Sequence, residues 1–375
     1  MHNVIHMPAF LLPQPQLNLT AWSVVACDQF TSQPEYWKKA EEIVKDAPST
    51  LRIIYPEAAL LSGEPDRAPA IHACMRQYLQ QGIFAAPYEG FVLVERSTSA
   101  GLRLGLLALI DLEAYDYSKG SQSLIRPTEG TIAERIPPRV HIRAKAPLEL
   151  PHVMLLADDP QGTLVEPLYE KKNALPLLYD FELMLGGGHL RGFLVNAPED
   201  VQSIYNALQR LPSLQGEDSI LFAVGDGNHS LATAKQCYLE NPTAHNRYAL
   251  VEIVNLYQPS LQFEPIHRLL HGVDKKALTA AAASQGVSLA TGDVTQIQPF
   301  LDAWLPESAA TDYIHGEQTL LSLAAQPGYT GLLLKGIEKQ KLFPLLVGGK
   351  TLPRKAFSMG NAQDKRYYLE CRKLL

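Results

Sequence analysis

Six consecutive residues, Gly225-Asp226-Gly227-Asn228-His229-Ser230, combine two glycines with a carboxylate, an imidazole and two small polar side chains. They follow the continuous apolar run Ser219-Ile220-Leu221-Phe222-Ala223-Val224, which reads as a strand covered on both faces. A helical pattern follows from about Asn228 to Glu240. At such a junction the free N–H groups and partial positive charge of the helix suit a phosphate or carboxylate, and Gly225 and Gly227 let the backbone approach it closely. Ligands collect at this edge of open α/β sheets. Asn228 or Ser230 is placed to cap the helix, His229 to donate to an anion or move a proton, and Lys235 to follow one to two turns along. Asp226 is the odd member: a carboxylate beside an anion repels it unless a cation such as Mg²⁺ lies between them, or the acid serves as a base. The combination points to phosphate chemistry, with Asp226 and His229 as catalytic candidates and Asp226 as the metal ligand. The same residues also suit an ordinary tight turn with a capped helix. Neither a Walker loop nor a complete Gly-x-Gly-x-x-Gly fingerprint is present.

A second constellation runs from Arg126-Pro127-Thr128-Glu129-Gly130-Thr131 through Glu134-Arg135 and Pro137-Pro138-Arg139 to His141-Ile142-Arg143. Planar guanidinium forks match phosphate and carboxylate oxygens, so Arg126, Arg139 and Arg143, with Glu129 and Thr131, are candidates to clamp an anionic substrate. Solvation or pairing with Glu129 and Glu134 is the alternative. His267 and Arg268, after the next strand, are candidates to bring a second imidazole and guanidinium to the same edge. Arg354 and Lys355 in the basic tail add further cations, and Asp28 near the N-terminus is a more credible polar partner than the neighbouring Cys27.

Strands are expected at Trp22–Ala26, Phe91–Glu95, Gly105–Ile110, Val153–Ala157, Ser219–Val224, Tyr248–Leu256 and Tyr329–Leu334. Helices are expected at Pro34–Lys45, Asp66–Gln81, Pro198–Leu211, Asn228–Glu240 and within 275–285. Residues 112–151, rich in Tyr, Ser, Gly and Pro, read as a long shaped loop. The fold class is therefore mixed α/β, with a strand, glycine turn and helix forming a phosphate site on a mixed sheet. A chain of 375 residues allows a subdivision into 1–150 and 151–375, the second part carrying the glycine turn, although no linker marks a boundary.

With 46% hydrophobic and 19% charged residues the chain is an ordinary globular one. Its net charge of −6 offers no general attraction for nucleic acid or an anionic membrane, so an anion site must be local. Cys27, Cys74, Cys237 and Cys371 lie far apart, without the spacing of a zinc site or a disulfide framework. No apolar run reaches the roughly 20 residues that span a bilayer, and no basic leader is evident. A cytoplasmic protein acting on a small molecule, with neither nucleic-acid nor membrane partners, is expected.

Several separated segments together resemble a bacterial and archaeal family, domain of unknown function 1015. They are Val25-Ala26-Cys27-Asp28-Gln29 with Thr31-Ser32-Gln33-Pro34-Glu35-Tyr36-Trp37, Leu124-Ile125-Arg126 with Glu129-Gly130-Thr131, and Leu148-Glu149-Leu150-Pro151-His152. The others are Leu178-Tyr179-Asp180-Phe181, the run from Gly225 to Lys235, and Leu352-Pro353-Arg354-Lys355. The resemblance implies a single family region over 1–375. In the wider family the turn usually reads Asp-Gly-His-His-Arg; here Asn228 and Ser230 replace the first His and the Arg, so position 230 supplies no guanidinium. The turn is similar, more distantly, to phosphate-binding elements of the ParB and sulfiredoxin superfamily, which includes kinases of free serine. That resemblance implies a small-molecule phosphotransferase, with free serine as leading acceptor, ATP, ADP or pyrophosphate as donor, and a divalent metal, Mg²⁺. The alternative is a non-catalytic regulatory protein that binds a nucleotide or phosphorylated metabolite.

Overall fold

Alternating side chains in Phe91–Thr98 and Gly101–Asp111 leave the sheet on opposite faces, and both faces are apolar. Phe91 and Leu93 enter one core while Val92 and Val94 enter another, which makes these strands central rather than half-exposed. The computed structural model describes residues 4–31, 33–60, 66–216 and 218–374; Ser32, within one family-like segment, lies outside them. In chain order the strands of the main sheet are β1 (Ile5–His6), β2 (Phe91–Thr98), β3 (Gly101–Asp111), β4 (Ile125–Pro127) and β5 (Met154–Ala157). They continue with β6 (Leu177–Glu182), β7 (His189–Val195), β8 (Phe222–Asp226) and β9 (Tyr248–Asn255). Their order across the sheet is β4-β8-β5-β9-β3-β2-β7-β6, and β1 pairs with β3 just beyond the start of β2. The β4–β8 and β5–β9 pairs are parallel and the others antiparallel, so the fold is mixed α/β. Strands from before and after residue 150 share this one sheet.

Helices α1 (Pro34–Val44), α2 (Ala68–Gln80), α3 (Ile136–Arg143), α4 (Pro198–Leu208) and α5 (Asn228–Glu240) are distributed along the same stretch of chain. Strand β8 has a different core on each side: Phe222 and Val224 join one cluster and Ala223 joins another, as its unbroken apolar run requires. That second cluster belongs to a smaller sheet of β10 (Phe263–His271), β11 (Ala310–His315), β12 (Tyr329–Leu332) and β13 (Phe357–Met359). In it, β10 pairs with β11, β12 and β13. The last residues thread back between layers: Tyr368 N donates to Val24 O (2.8 Å) and Leu11 N to Cys371 O (2.7 Å).

Two expectations are corrected. Trp22–Ala26 is not a strand: Leu19–Trp22 is a short helix whose start is capped by Asn18, and Val25 forms only an isolated bridge with Tyr367. A short apolar run has no period that separates the two, and the Asn18 side chain, accepting from Thr20 N and Ala21 N, decides for helix. Residues 112–151 are not one loop, because they contain β4 and α3. The prolines that suggested a loop sit in the first turn of α3, where no N–H is needed.

Candidate active site

The junction of β8 and α5 is shaped by a register shift. Ala223 and Val224 lie opposite Leu156 and Leu155, but Asp226 lies opposite Met154, so Gly225 is one residue too many and bulges. A side chain has no room there: a Cβ on Gly225 would stand 2.6 Å from Met359 Sδ and 2.8 Å from Leu156 Cγ. Gly227 then takes the left-handed conformation, φ +80°, with Val153 Cα 3.0 Å from where its Cβ would be. The bulge presents Asp226, and the left-handed residue starts α5.

Neither Asn228 nor Ser230 caps the helix, correcting that expectation; Gly227 is the cap residue and α5 has no side-chain cap. Asn228 instead bonds Thr128, accepting from its N–H and donating to its Oγ1 (both 3.2 Å), while Thr128 Oγ1 donates to Val224 O (2.7 Å). This ties the segment after β4 to the turn. Ser230 Oγ meets His152 Nε2 at 2.8 Å, and His152 Nδ1 meets the Tyr368 hydroxyl at 2.9 Å.

A cavity of about 440 Å³ opens above the turn. Its walls carry Asp28, Glu129, Asp226, His229, Arg135, Arg139, Arg354, Lys355 and Lys365, together with Gly225, Gly227, Asn228 and Ser230. Lys365 is buried, and its ion pair among the described residues is a loose one, Nζ standing 3.4 Å from Asp226 Oδ2. Asp226 Oδ1 accepts from Gly227 N at 3.1 Å. Burial acts to raise the Asp28 carboxyl, but His152, the Gln29 amide (3.0 Å), Lys365 and Lys355 outweigh it and hold the group below its ordinary value. Glu129 goes the other way. Burial raises it despite Lys355, the N–H groups of residues 355 and 356, and Arg268. His229 is pushed down to about 4 by burial and then by Arg139, Arg135 and Lys355. It is therefore neutral near pH 7, and fitted to handle a proton rather than to supply positive charge.

Other candidates from the sequence stand elsewhere. Arg126 does not line the cavity: it is buried, paired with Asp218 and bonded to Ser123 O (3.0 Å) and Leu346 O (2.9 Å). Arg268 is also fully buried, bonding Gln298 Oε1 (2.6 Å) and the carbonyls of Ile266 (2.5 Å), Arg354 (3.0 Å) and Lys355 (3.1 Å). It holds the backbone of Arg354 and Lys355, the latter with φ +53°, in place under the cavity rim. Lys235 reaches Leu112 O (2.9 Å) instead of an anion site. His267 accepts from Leu334 N (3.1 Å) and borders a separate cavity of about 530 Å³. Arg143 pairs with Glu149 (2.6 Å), and Thr131 Oγ1 is buried without a hydrogen-bond partner among the described residues. Arg139 does line the cavity, where it pairs with Glu57.

Lys365 was not singled out by the sequence, which showed only a basic tail. Five of the family-like segments meet here, contributing Asp28 and Gln29, Glu129 and Gly130, His152 behind Ser230, the glycine turn, and Arg354 with Lys355. A family model described as a protein of unknown function, DUF1015, matches residues 9–373. The chain belongs to this family. No curated protein matches this DUF1015 chain. Among solved structures, a free serine kinase in complex with AMP superposes with a TM-score of 0.42 at 9% identity, over 72% of this chain and 92% of that one. A mutant free serine kinase with ADP gives 0.41 at 10% identity with the same coverage. A conserved hypothetical protein from Pyrococcus furiosus gives 0.36 at 10% identity, over 72% and 95%. No residue role is carried over from them.

Proposed function

We propose that the cavity above the β8–α5 turn binds phosphate groups and transfers a phosphoryl group to a hydroxyl-bearing metabolite, with free serine the first acceptor to test and ATP, ADP or pyrophosphate the donor. The observation that carries this reading is that Arg354, Lys355, Lys365 and Arg135 line one cavity with Asp226, the carboxylate presented by the glycine bulge, in a chain whose overall charge is negative. Phosphoryl transfer needs positioning and charge neutralisation more than covalent chemistry. The cations offer the neutralisation, α5 offers its N-terminus, Asp226 accepts the acceptor's hydroxyl proton, and neutral His229 is a second site for a proton.

Among the described residues no three His, Cys, Asp or Glu side chains form a group able to hold a metal. Mg²⁺ is also held by one or two carboxylates plus phosphate oxygens, and Asp226, with Asp28 and Glu129 in the same cavity wall, supplies carboxylates for that mode. Such an ion would neutralise charge on the transferring group. The four cysteines stand unpaired, in keeping with a cytoplasmic setting, and among the described residues no helix is long and apolar enough to cross a membrane.

The Asp226–Lys365 pair favours a second reading, a regulatory protein that binds a phosphorylated metabolite without turnover, since the carboxylate already has a cation beside it. Phosphorus NMR of the protein with each donor and a panel of hydroxyl-bearing acceptors, with and without Mg²⁺, separates the two. Transfer predicts a new phosphomonoester signal that grows as donor is lost. Perturbed donor signals without product over prolonged incubation support the regulatory reading, and unperturbed donor signals count against both.

A further inference from the structure

Behind the polar cavity lies a second chamber of about 160 Å³, between α5, the segment 139–153 and residues 53–57. The two are neighbours that share Cys27, Glu57, Arg139 and Ser230 in their walls, so a ligand occupying both would pass between these side chains. Their chemistry is opposite. The chamber is lined by aliphatic and aromatic groups, including Ile54, Met75, Leu148, Leu231, Ala234 and Tyr368.

The polar groups that reach the chamber are already engaged. Arg143 holds Glu149 (2.6 Å), Arg139 holds Glu57, His152 is held between Ser230 (2.8 Å) and Tyr368 (2.9 Å), and Thr233 Oγ1 donates to His229 O (2.7 Å). A charged or zwitterionic group entering there would lose its water without gaining partners. A flat uncharged ring gives up far less, since its faces gain aliphatic contacts, and a cavity of about 150 Å³ is enough for a benzene ring. Ring-sized, largely apolar space beside an anion cavity fits a ligand that carries phosphates at one end and a flat uncharged ring at the other.

We propose that this chamber receives the base of a nucleotide whose phosphates lie at Lys355 and Lys365, so that the phosphoryl donor is a nucleoside phosphate and not pyrophosphate. This rests on the phosphate-binding reading above and narrows its donor class.

The test compares ATP with tripolyphosphate, which keeps the phosphate chain but lacks the base, by calorimetric titration at one ionic strength and pH. Wild-type protein is expected to bind ATP about tenfold or more tightly than tripolyphosphate, the gain from burying the faces of one ring. Ala234→Leu and Ala146→Leu, each of which fills the chamber, are expected to bring ATP down to the affinity of tripolyphosphate and to leave tripolyphosphate unchanged. Melting curves establish that each variant is folded, and if one is not, the other and the wild-type comparison still decide. Equal wild-type affinities, or an ATP advantage that persists in a folded Leu variant, would overturn the chamber as base site while leaving the phosphate cavity standing. Binding of neither ligand would overturn both.

Discussion

Arg126 and Lys365 are both buried cations, and the difference between them separates scaffold from site. The Arg126 guanidinium makes four hydrogen bonds, two to the Asp218 carboxylate and one to each of two carbonyls, which hold it in β4. Arg268 repeats the arrangement under β10, where four acceptors enclose it. Lys365, by contrast, has Asp226 at 3.4 Å and an open cavity in front of it. A buried charge with all its bonds made fixes the fold, while one left loosely paired at a cavity wall retains bonding capacity for a ligand.

The largest effect expected from this contrast is on the cavity side. Asp226→Asn should lower phosphoryl transfer by about 10²- to 10⁴-fold, the usual worth of a positioned acid or base, in a protein that still folds, with a melting temperature lowered by the loss of the 3.4 Å pair to the buried Lys365. Full turnover by the folded variant would remove Asp226 from the chemistry. On the scaffold side, Arg126→Met should cost about 1–3 kcal/mol of stability by taking the donor from Ser123 O and Leu346 O and the partner from Asp218, yet the folded fraction should bind phosphate ligands as wild type does. Denaturant titration alongside ligand titration reads both quantities; weakened binding in the folded fraction would erase the distinction.

A smaller effect concerns pH. His229 is held at about 4 in the folded protein against an ordinary 6.5, so between those values the unfolded chain takes up a proton that the folded one refuses. Wild-type stability should therefore fall relative to His229→Gln as pH drops from about 6.5 to 4, and parallel melting curves for the two proteins would contradict the burial of a neutral imidazole. The smallest effect belongs to Lys235. Its ammonium is spent on Leu112 O, so Lys235→Ala should leave transfer and binding unchanged and cost only about 1 kcal/mol of stability.

The parts of this arrangement visible in the sequence are those encoded locally. Helix α5 was legible over Asn228–Glu240 because glycines punctuate its start, and β2, β3, β5 and β9 were legible as short apolar runs. The small sheet was mostly missed: β10 and β11 lack a clean two-residue period, and the helix Val294–Trp304 carries Pro299 inside it. Arginine types were visible but their partners were not. Asp218 lies 92 residues from Arg126, and Leu346 lies 220 away, distances over which sequence pattern says nothing about pairing. Lys365 is the same case reversed, a tail lysine made important by a C-terminal segment that folds back beneath the glycine turn.

The claim that this loosely paired cation belongs to a phosphate site is tested most directly by titrating pyrophosphate into wild-type protein and Lys365→Met at one pH and ionic strength, with Lys235→Ala as the matched loss of a lysine. Losing one charged hydrogen bond to the ligand should weaken binding by about 10- to 100-fold in Lys365→Met and not at all in Lys235→Ala. Wild-type affinity in a folded Lys365→Met protein would contradict the account.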